Sequence, residues 1–111
     1  KRAKPERRAT AWWIVYEDKV RLVRRAPSGL LGGMRALPST LDAGEHDERG
    51  TLLGIVSHVF THFRLTLEIR VPPADAPLPD GEWCDIAELD AAGLPTLFAK
   101  AARIARAGGG T

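Results

Sequence analysis

The sequence predicts an α+β domain, one mixed β-sheet closed by a C-terminal helix, and three observations carry that reading. From Leu53 to Val71 the odd positions read Leu, Ile, Ser, Val, Thr, Phe, Leu, Leu, Ile and Val, the period of two expected of strands. Thr10 to Tyr16 is apolar on both alternating faces, as in a central strand covered on each side. From Leu94 onward, Leu94, Leu97, Phe98, Ala101, Ile104 and Ala105 recur at three- and four-residue steps, the spacing of an amphipathic helix.

At 111 residues the chain is long enough for one hydrophobic core and too short for two. Residues 1–7 read as a lead-in or linker, 8–107 as the domain and 108–111 as a disordered tail. No apolar run approaches the roughly 20 residues that a membrane span needs, so no membrane contact is expected. Cys84 is the only cysteine, which excludes an internal disulfide and a structural zinc site and fits a reducing cytoplasm. The opening Lys1-Arg2-Ala3-Lys4, without an initiator Met, is expected of a fragment of something longer or of a processed form.

The net charge of +2 conceals a segregation. Residues 1–35 hold ten Lys or Arg against Glu6, Glu17 and Asp18, whereas 75–90 hold six acids and no base. A basic end of this kind suits a partner made of phosphates, or is simply a solvated surface.

Taken in order, Thr10–Tyr16 and Lys19–Arg25 form a β-hairpin turning at Glu17-Asp18. Trp12 and Trp13 could stack on bases, but within so apolar a run they read as core. The glycine-rich stretch Ala26–Pro38 matches neither the P-loop nor the dinucleotide fingerprint, and reads as a tight turn feeding a short strand. Ser39–Gly50 is polar and acidic, mainly loop, with room for a short helical turn. Four prolines between Pro72 and Pro79 exclude regular structure there. Glu82–Ile86 is a short strand. Pro95 near the start and Gly108–Gly110 past the end bracket the closing helix.

The run from Leu53 to Val71 cannot be one strand. At about 3.3 Å per residue it would span roughly 60 Å, in a domain whose radius of gyration should be about 13 Å. It therefore folds back near Phe60-Thr61-His62, where no Gly, Pro, Asn or Asp eases the turn. Something other than turn chemistry selected these residues, and a ring, a hydroxyl and an imidazole side by side suit a flat polar ligand such as a base. His58 is expected to be structural, its parity placing it away from the odd-numbered apolar face.

Arg24-Arg25, Ser28-Gly29-Leu30-Leu31-Gly32-Gly33-Met34, Leu37-Pro38, His58-Val59-Phe60-Thr61-His62-Phe63, Trp83 and Leu94-Pro95 occur in an order and spacing that resembles the C-terminal domain of MutY-type adenine DNA glycosylases. The resemblance runs from about Arg8 to Ala105. It implies a Nudix-like fold with a degenerate or shortened Nudix-box helix, one that has lost hydrolysis and serves DNA recognition. The parent enzyme of that family removes adenine mispaired with 8-oxoguanine. Its N-terminal catalytic domain, with a 4Fe–4S cluster, would be this chain's partner alongside the 8-oxoguanine:adenine duplex, in the cytoplasm at the nucleoid. Phe60, Thr61 and His62 fall on the family's lesion-recognition loop, Thr replacing the family Ser. No catalytic residue, metal or cofactor is expected in this chain. Arg24, Arg25, Arg35 and Arg64 are candidates for phosphate contacts, which hold register without specifying sequence.

Two other classes compete. An active Nudix pyrophosphohydrolase would need carboxylates on a helix to hold Mg²⁺ or Mn²⁺. Position 39, where that box calls for Glu, is Ser39, and Asp42, Glu45, Asp47 and Glu48 do not fit its spacing. A protein-interaction module would use the proline-rich connection and the acidic 75–90 segment.

Overall fold

The computed structural model describes residues 4–42 and 46–108. Seven strands, a 3-10 helix and one α-helix follow in the order β1 (Glu6–Trp12), β2 (Val15–Tyr16), β3 (Lys19–Arg24), β4 (Arg35–Ala36), β5 (Thr51–Val59), β6 (Arg64–Val71), β7 (Glu82–Asp85), the 3-10 helix (Ile86–Ala91) and α1 (Thr96–Gly108). They build two sheets. One has the order β1-β6-β5, with β1 parallel to β6 and β5 antiparallel to it. In the other, β3 pairs antiparallel with β2, β4 and β7.

The apolar run Thr10–Tyr16 is not one strand. It is cut at Trp13-Ile14, where the chain passes from one sheet to the other: Trp13 N–H donates to Arg70 O (2.8 Å) and Ile14 O accepts from Arg21 N–H (2.9 Å). Trp13 is core, 6% exposed, and Trp12 is half-buried. The first strand also begins earlier than apolar patterning indicates, at Glu6, because residues 6–12 pair in register with 64–70. Strand pairing needs only backbone, so three polar residues at the end of a sheet leave no hydrophobic signature.

A bulge between Leu52 and Gly54 interrupts the β5–β6 ladder, and the four-residue reversal 60–63 swaps parity across it. Val59 pairs with Arg64 and His58 with Leu65, so even residues of β5 share a face with odd residues of β6. The placement of His58 away from the apolar face is thereby corrected. His58 lies on the inner face with Val56 and Leu65, while Ile55 and Val59, about half exposed, look outward. Helix α1 covers that inner face with Leu97, Phe98, Ala101 and Ala105. Gly54 makes the approach possible, since a side-chain carbon there would come within 2.3 Å of Ile104 Cγ2.

On the opposite face a buried carboxylate organises the loop before β5. Glu68, 6% exposed, receives Arg8 Nη2 (3.0 Å), Arg70 Nε (2.9 Å) and His46 Nε2 (2.8 Å). Burial raises its pKa, but these donors outweigh burial and hold the group below its usual range. Thr10 Oγ1 then fastens the loop by donating to Asp47 O (2.7 Å) and accepting from Asp47 N–H (2.9 Å). Nothing helical occurs among the described residues of 39–50, and 43–45 lie outside them. The closing helix is as expected, with the Pro95 carbonyl accepting from Ala99 N–H at its start (2.9 Å). Gly108 is its last residue, and 109–111, where the tail was expected to continue, lie outside the described residues.

Candidate nucleic-acid interface

The β5–β6 reversal is a narrow hairpin end. Phe60 N–H donates to Phe63 O (2.8 Å), leaving Thr61 and His62 as a two-residue tip. Neither has a positive φ, so this is not one of the primed turns that glycine and asparagine favour in tight hairpins. Rings hold the tip instead. Phe60 stacks on the buried Phe63 (centroids 4.8 Å apart, planes at 28°) and meets the His58 ring edge-on at 4.8 Å. Phe60 is half-buried against the core, whereas Thr61 and His62 are exposed.

The start of the chain closes round this end. Lys4 Nζ donates to Phe60 O (2.9 Å), Arg64 N–H donates to Pro5 O (2.9 Å), and the Arg7 guanidinium lies 4.4 Å from the Phe63 ring centroid. The Phe60 and Phe63 carbonyls are thus occupied. Among the described residues no donor engages the Thr61 or His62 carbonyl, the Thr61 hydroxyl or the His62 ring. The tip therefore offers unused acceptors on a braced backbone.

Basic side chains outnumber acids at this end, where Glu6 stands in register with Arg64. Lys4, Arg7 and Arg64 are exposed, and among the described residues none pairs with a carboxylate. Beneath them the His58 Nδ1 is buried without a hydrogen-bond partner among the described residues, and burial, with Lys100 nearby, pushes that imidazole below its ordinary value. Three cations, Lys4, Arg7 and Arg64, against one carboxylate, Glu6, leave this end of the sheet with an excess of positive charge.

Of the four arginines picked out from the sequence, only Arg64 stands at the tip. Arg25 is a loop anchor, its side chain 7% exposed, donating to Leu30 O (2.8 Å) and paired with Asp42. Arg24 is exposed and donates to Gly33 O (2.7 Å). Arg35 donates to Ala92 O (3.2 Å), and its Nε lies 3.1 Å from the Glu82 carboxylate without lining up for a hydrogen bond. These three surround the glycine-rich turn, where Gly29 and Gly33 take positive φ. Lys4 and Arg7 were hidden from sequence reading inside an apparent lead-in. Their signal was the excess of bases at the start of the chain, which points to a group but not to a place.

Residues 10–103 match the NUDIX domain family, most of the chain. The chain belongs to that family. It is also 32% identical over 108 residues to the adenine DNA glycosylase of Rattus norvegicus, covering 75% of this chain and 21% of that protein. The chain thus spans about a fifth of the length of this curated relative. Among solved structures it is similar to the C-terminal domain of mouse MUTYH crystallised with human PCNA (TM-score 0.58, 22% identity, covering 87% of this chain and 85% of that one). It is similar as well to a MutT NUDIX hydrolase from Burkholderia pseudomallei (TM-score 0.56, 18% identity, 95% and 98% covered). The Nudix-like α+β fold and the resemblance to the glycosylase C-terminal domain read from the sequence agree with these findings.

NUDIX hydrolysis is expected to use a divalent metal, and the carboxylates in this NUDIX domain are poorly placed to hold one. Among the described residues no three His, Cys, Asp or Glu side chains gather as a metal site. Asp42 is paired with Arg25, Glu48 lies 3.5 Å from His46, and Arg49 binds both oxygens of Asp47, holding that carboxyl down at about 2. Glu45 lies outside the described residues. A 4Fe–4S cluster needs four thiolates, and this NUDIX domain has Cys84 alone, half-buried and raised in pKa by burial.

Proposed function

We propose that this NUDIX domain is the lesion-reading part of an adenine DNA glycosylase, presenting Thr61 and His62, with Phe60 beneath them, to 8-oxoguanine opposite adenine while an N-terminal domain carries out base removal. One observation carries the reading: a braced tip with exposed, unoccupied polar groups stands among Lys4, Arg7 and Arg64, which make no ion pair among the described residues.

The chemistry follows from the base. Guanine shows acceptors at N7 and O6 in the major groove, and oxidation at C8 turns N7 into an N–H donor. A reader must therefore present an acceptor. The Thr61 hydroxyl can accept from that N–H, but it can also rotate and donate to ordinary guanine. A carbonyl cannot rotate into a donor, so the open Thr61 and His62 carbonyls supply the obligate acceptor that discrimination requires. His62, when neutral, adds one donor and one acceptor for the exocyclic edge. Phe60 supports the loop from below. Arg64 at the tip and the exposed Arg24 beside the glycine-rich turn would take phosphate contacts, whereas Arg25 and Arg35, committed to Asp42 and Glu82, add to the field.

The test is made in the parent enzyme. Replacing Thr61 and His62 together by Ala should lower the preference for adenine opposite 8-oxoguanine over adenine opposite guanine by a few-fold to about a hundredfold, one or two contacts at about 0.5–1.5 kcal/mol each. Thr61→Ser should be nearly silent. Retained discrimination in a folded double variant would refute the assignment.

A further inference from the structure

We infer that α1 carries a second contact to nucleic acid, a ridge of Lys100, Arg103 and Arg106 that holds backbone phosphates of the DNA flanking the lesion. The inference rests on the reading of the tip proposed above and extends it to a surface with no part in recognising the base.

The three cations step by three along the helix, so they are surface neighbours. The helix Thr-Leu-Phe-Ala-Lys-Ala-Ala-Arg-Ile-Ala-Arg-Ala-Gly contains no acid. Every described residue three or four places from each cation is apolar, a threonine or another of the three. No ion pair joins them to any described carboxylate. Like charges at this spacing repel and weaken a helix. Arg106, in the last turn, is favoured there by the helix dipole, but Lys100 and Arg103 lie too far from that end to benefit. The ridge thus carries adjacent like charges with no acid on the helix to compensate them, which a polyanion would do.

Placement supports the same conclusion. Arg103 and Arg106 are exposed and Lys100 is half-buried, its charge close enough to depress His58, whose ring packs on Phe60. The ridge therefore begins at the base of the reading tip. Six residues of helix carry it about 9 Å along the axis, against about 3.4 Å of duplex per phosphate on one strand. Arg103 and Arg106 also line a cleft of about 270 Å³ whose facing wall includes Leu89, Gly93 and one acid, Asp90. Gly93 keeps that wall low, since a side chain there would meet nothing within 4 Å.

The test titrates the 111-residue chain with duplexes of about 20 base pairs, two helical turns, carrying 8-oxoguanine:adenine or an undamaged pair, by fluorescence anisotropy and amide NMR at low salt. Arg103→Gln with Arg106→Gln should weaken binding to both duplexes alike and make the log–log salt slope shallower by about 1.8, two contacts at about 0.9 each. Trimming one flank should weaken the unsubstituted chain and leave the double variant little changed. An unchanged slope in the variant, or no DNA-dependent shift at the Arg103 and Arg106 amides at millimolar duplex, would overturn the ridge. Thr61→Ala with His62→Ala, run in parallel, should alter lesion preference without altering the slope, so failure of the tip and failure of the ridge give different patterns.

Discussion

Lys4 Nζ donates to the carbonyl of Phe60, 56 residues away, and this bond ties the first described residue of the chain to the base of the Thr61-His62 tip. With Arg7 over Phe63, it makes the entering segment part of the tip's support. Replacing Lys4 and Arg7 by Ser should destabilise the domain by only about 1–2 kcal/mol, one exposed hydrogen bond and one exposed cation–π contact. Amide exchange at Phe60 and Arg64, whose N–H groups donate to Phe63 O and Pro5 O, should rise by more than at Leu67 or Ile69. Equal protection across all four amides would mean the tip stands without this brace.

Neighbouring arginines should part company on mutation. Arg25→Ala removes two hydrogen bonds from a guanidinium buried under the glycine-rich turn and should cost about 1–3 kcal/mol in urea unfolding. Arg24→Ala, at an exposed position, should cost within about 0.5 kcal/mol. Comparable losses would contradict the placement of their side chains.

Stability should fall in two separate windows as pH drops. The His58 imidazole has its pKa lowered by burial, then by Lys100, so its neutral form is favoured in the folded state. Its contribution is complete above the ordinary value of 6.5 and declines below it, because the unfolded chain takes the proton first. Asp47, lowered from 3.8 to about 2 by Arg49, contributes above 3.8 and loses that contribution as pH falls towards about 2, and Glu68, also lowered from 4.5, adds to this acid window. In His58→Phe the upper decline should vanish and the lower remain. Thermal melts at intervals from pH 8 to about 2 measure both, and an upper decline surviving in the variant would assign it to another group.

Incubated with 8-oxo-dGTP and Mg²⁺, the chain should show no turnover above a buffer control. Its described loop carboxylates are engaged with Arg25, Arg49 and His46. Metal-dependent hydrolysis would return the chain to the pyrophosphohydrolase reading.

What the sequence made legible followed from periodicity and from punctuation. The apolar alternation of 53–71, the prolines of 72–79 and the helical spacing after Leu94 each reported a local preference strong enough to survive into the fold. The inner face of β5 was read with the wrong parity because the alternation continues unbroken through a four-residue reversal that exchanges faces. The Glu68 network escaped notice because a glutamate inside an apolar strand gives no sign of which distant cations will reach it. At the candidate site, Thr61 and His62 stood out because their residue types are wrong for a turn, and the structure exposes both at the hairpin tip. Lys4 and Arg7 were not, since their role depends on a parallel pairing that places Glu6 beside Arg64.

That parallel pairing also orders the events of folding. The β5–β6 hairpin is local and can form on its own, but β1 finds its partner only after a loop of more than fifty residues has closed. Closing such a loop is entropically costly and slow compared with forming a hairpin. During synthesis the first strand must wait, unpaired, until residues 64–70 have been made. The hairpin can therefore form before its tip is braced, and Lys4 and Arg7 reach the tip only once β1 has paired with β6.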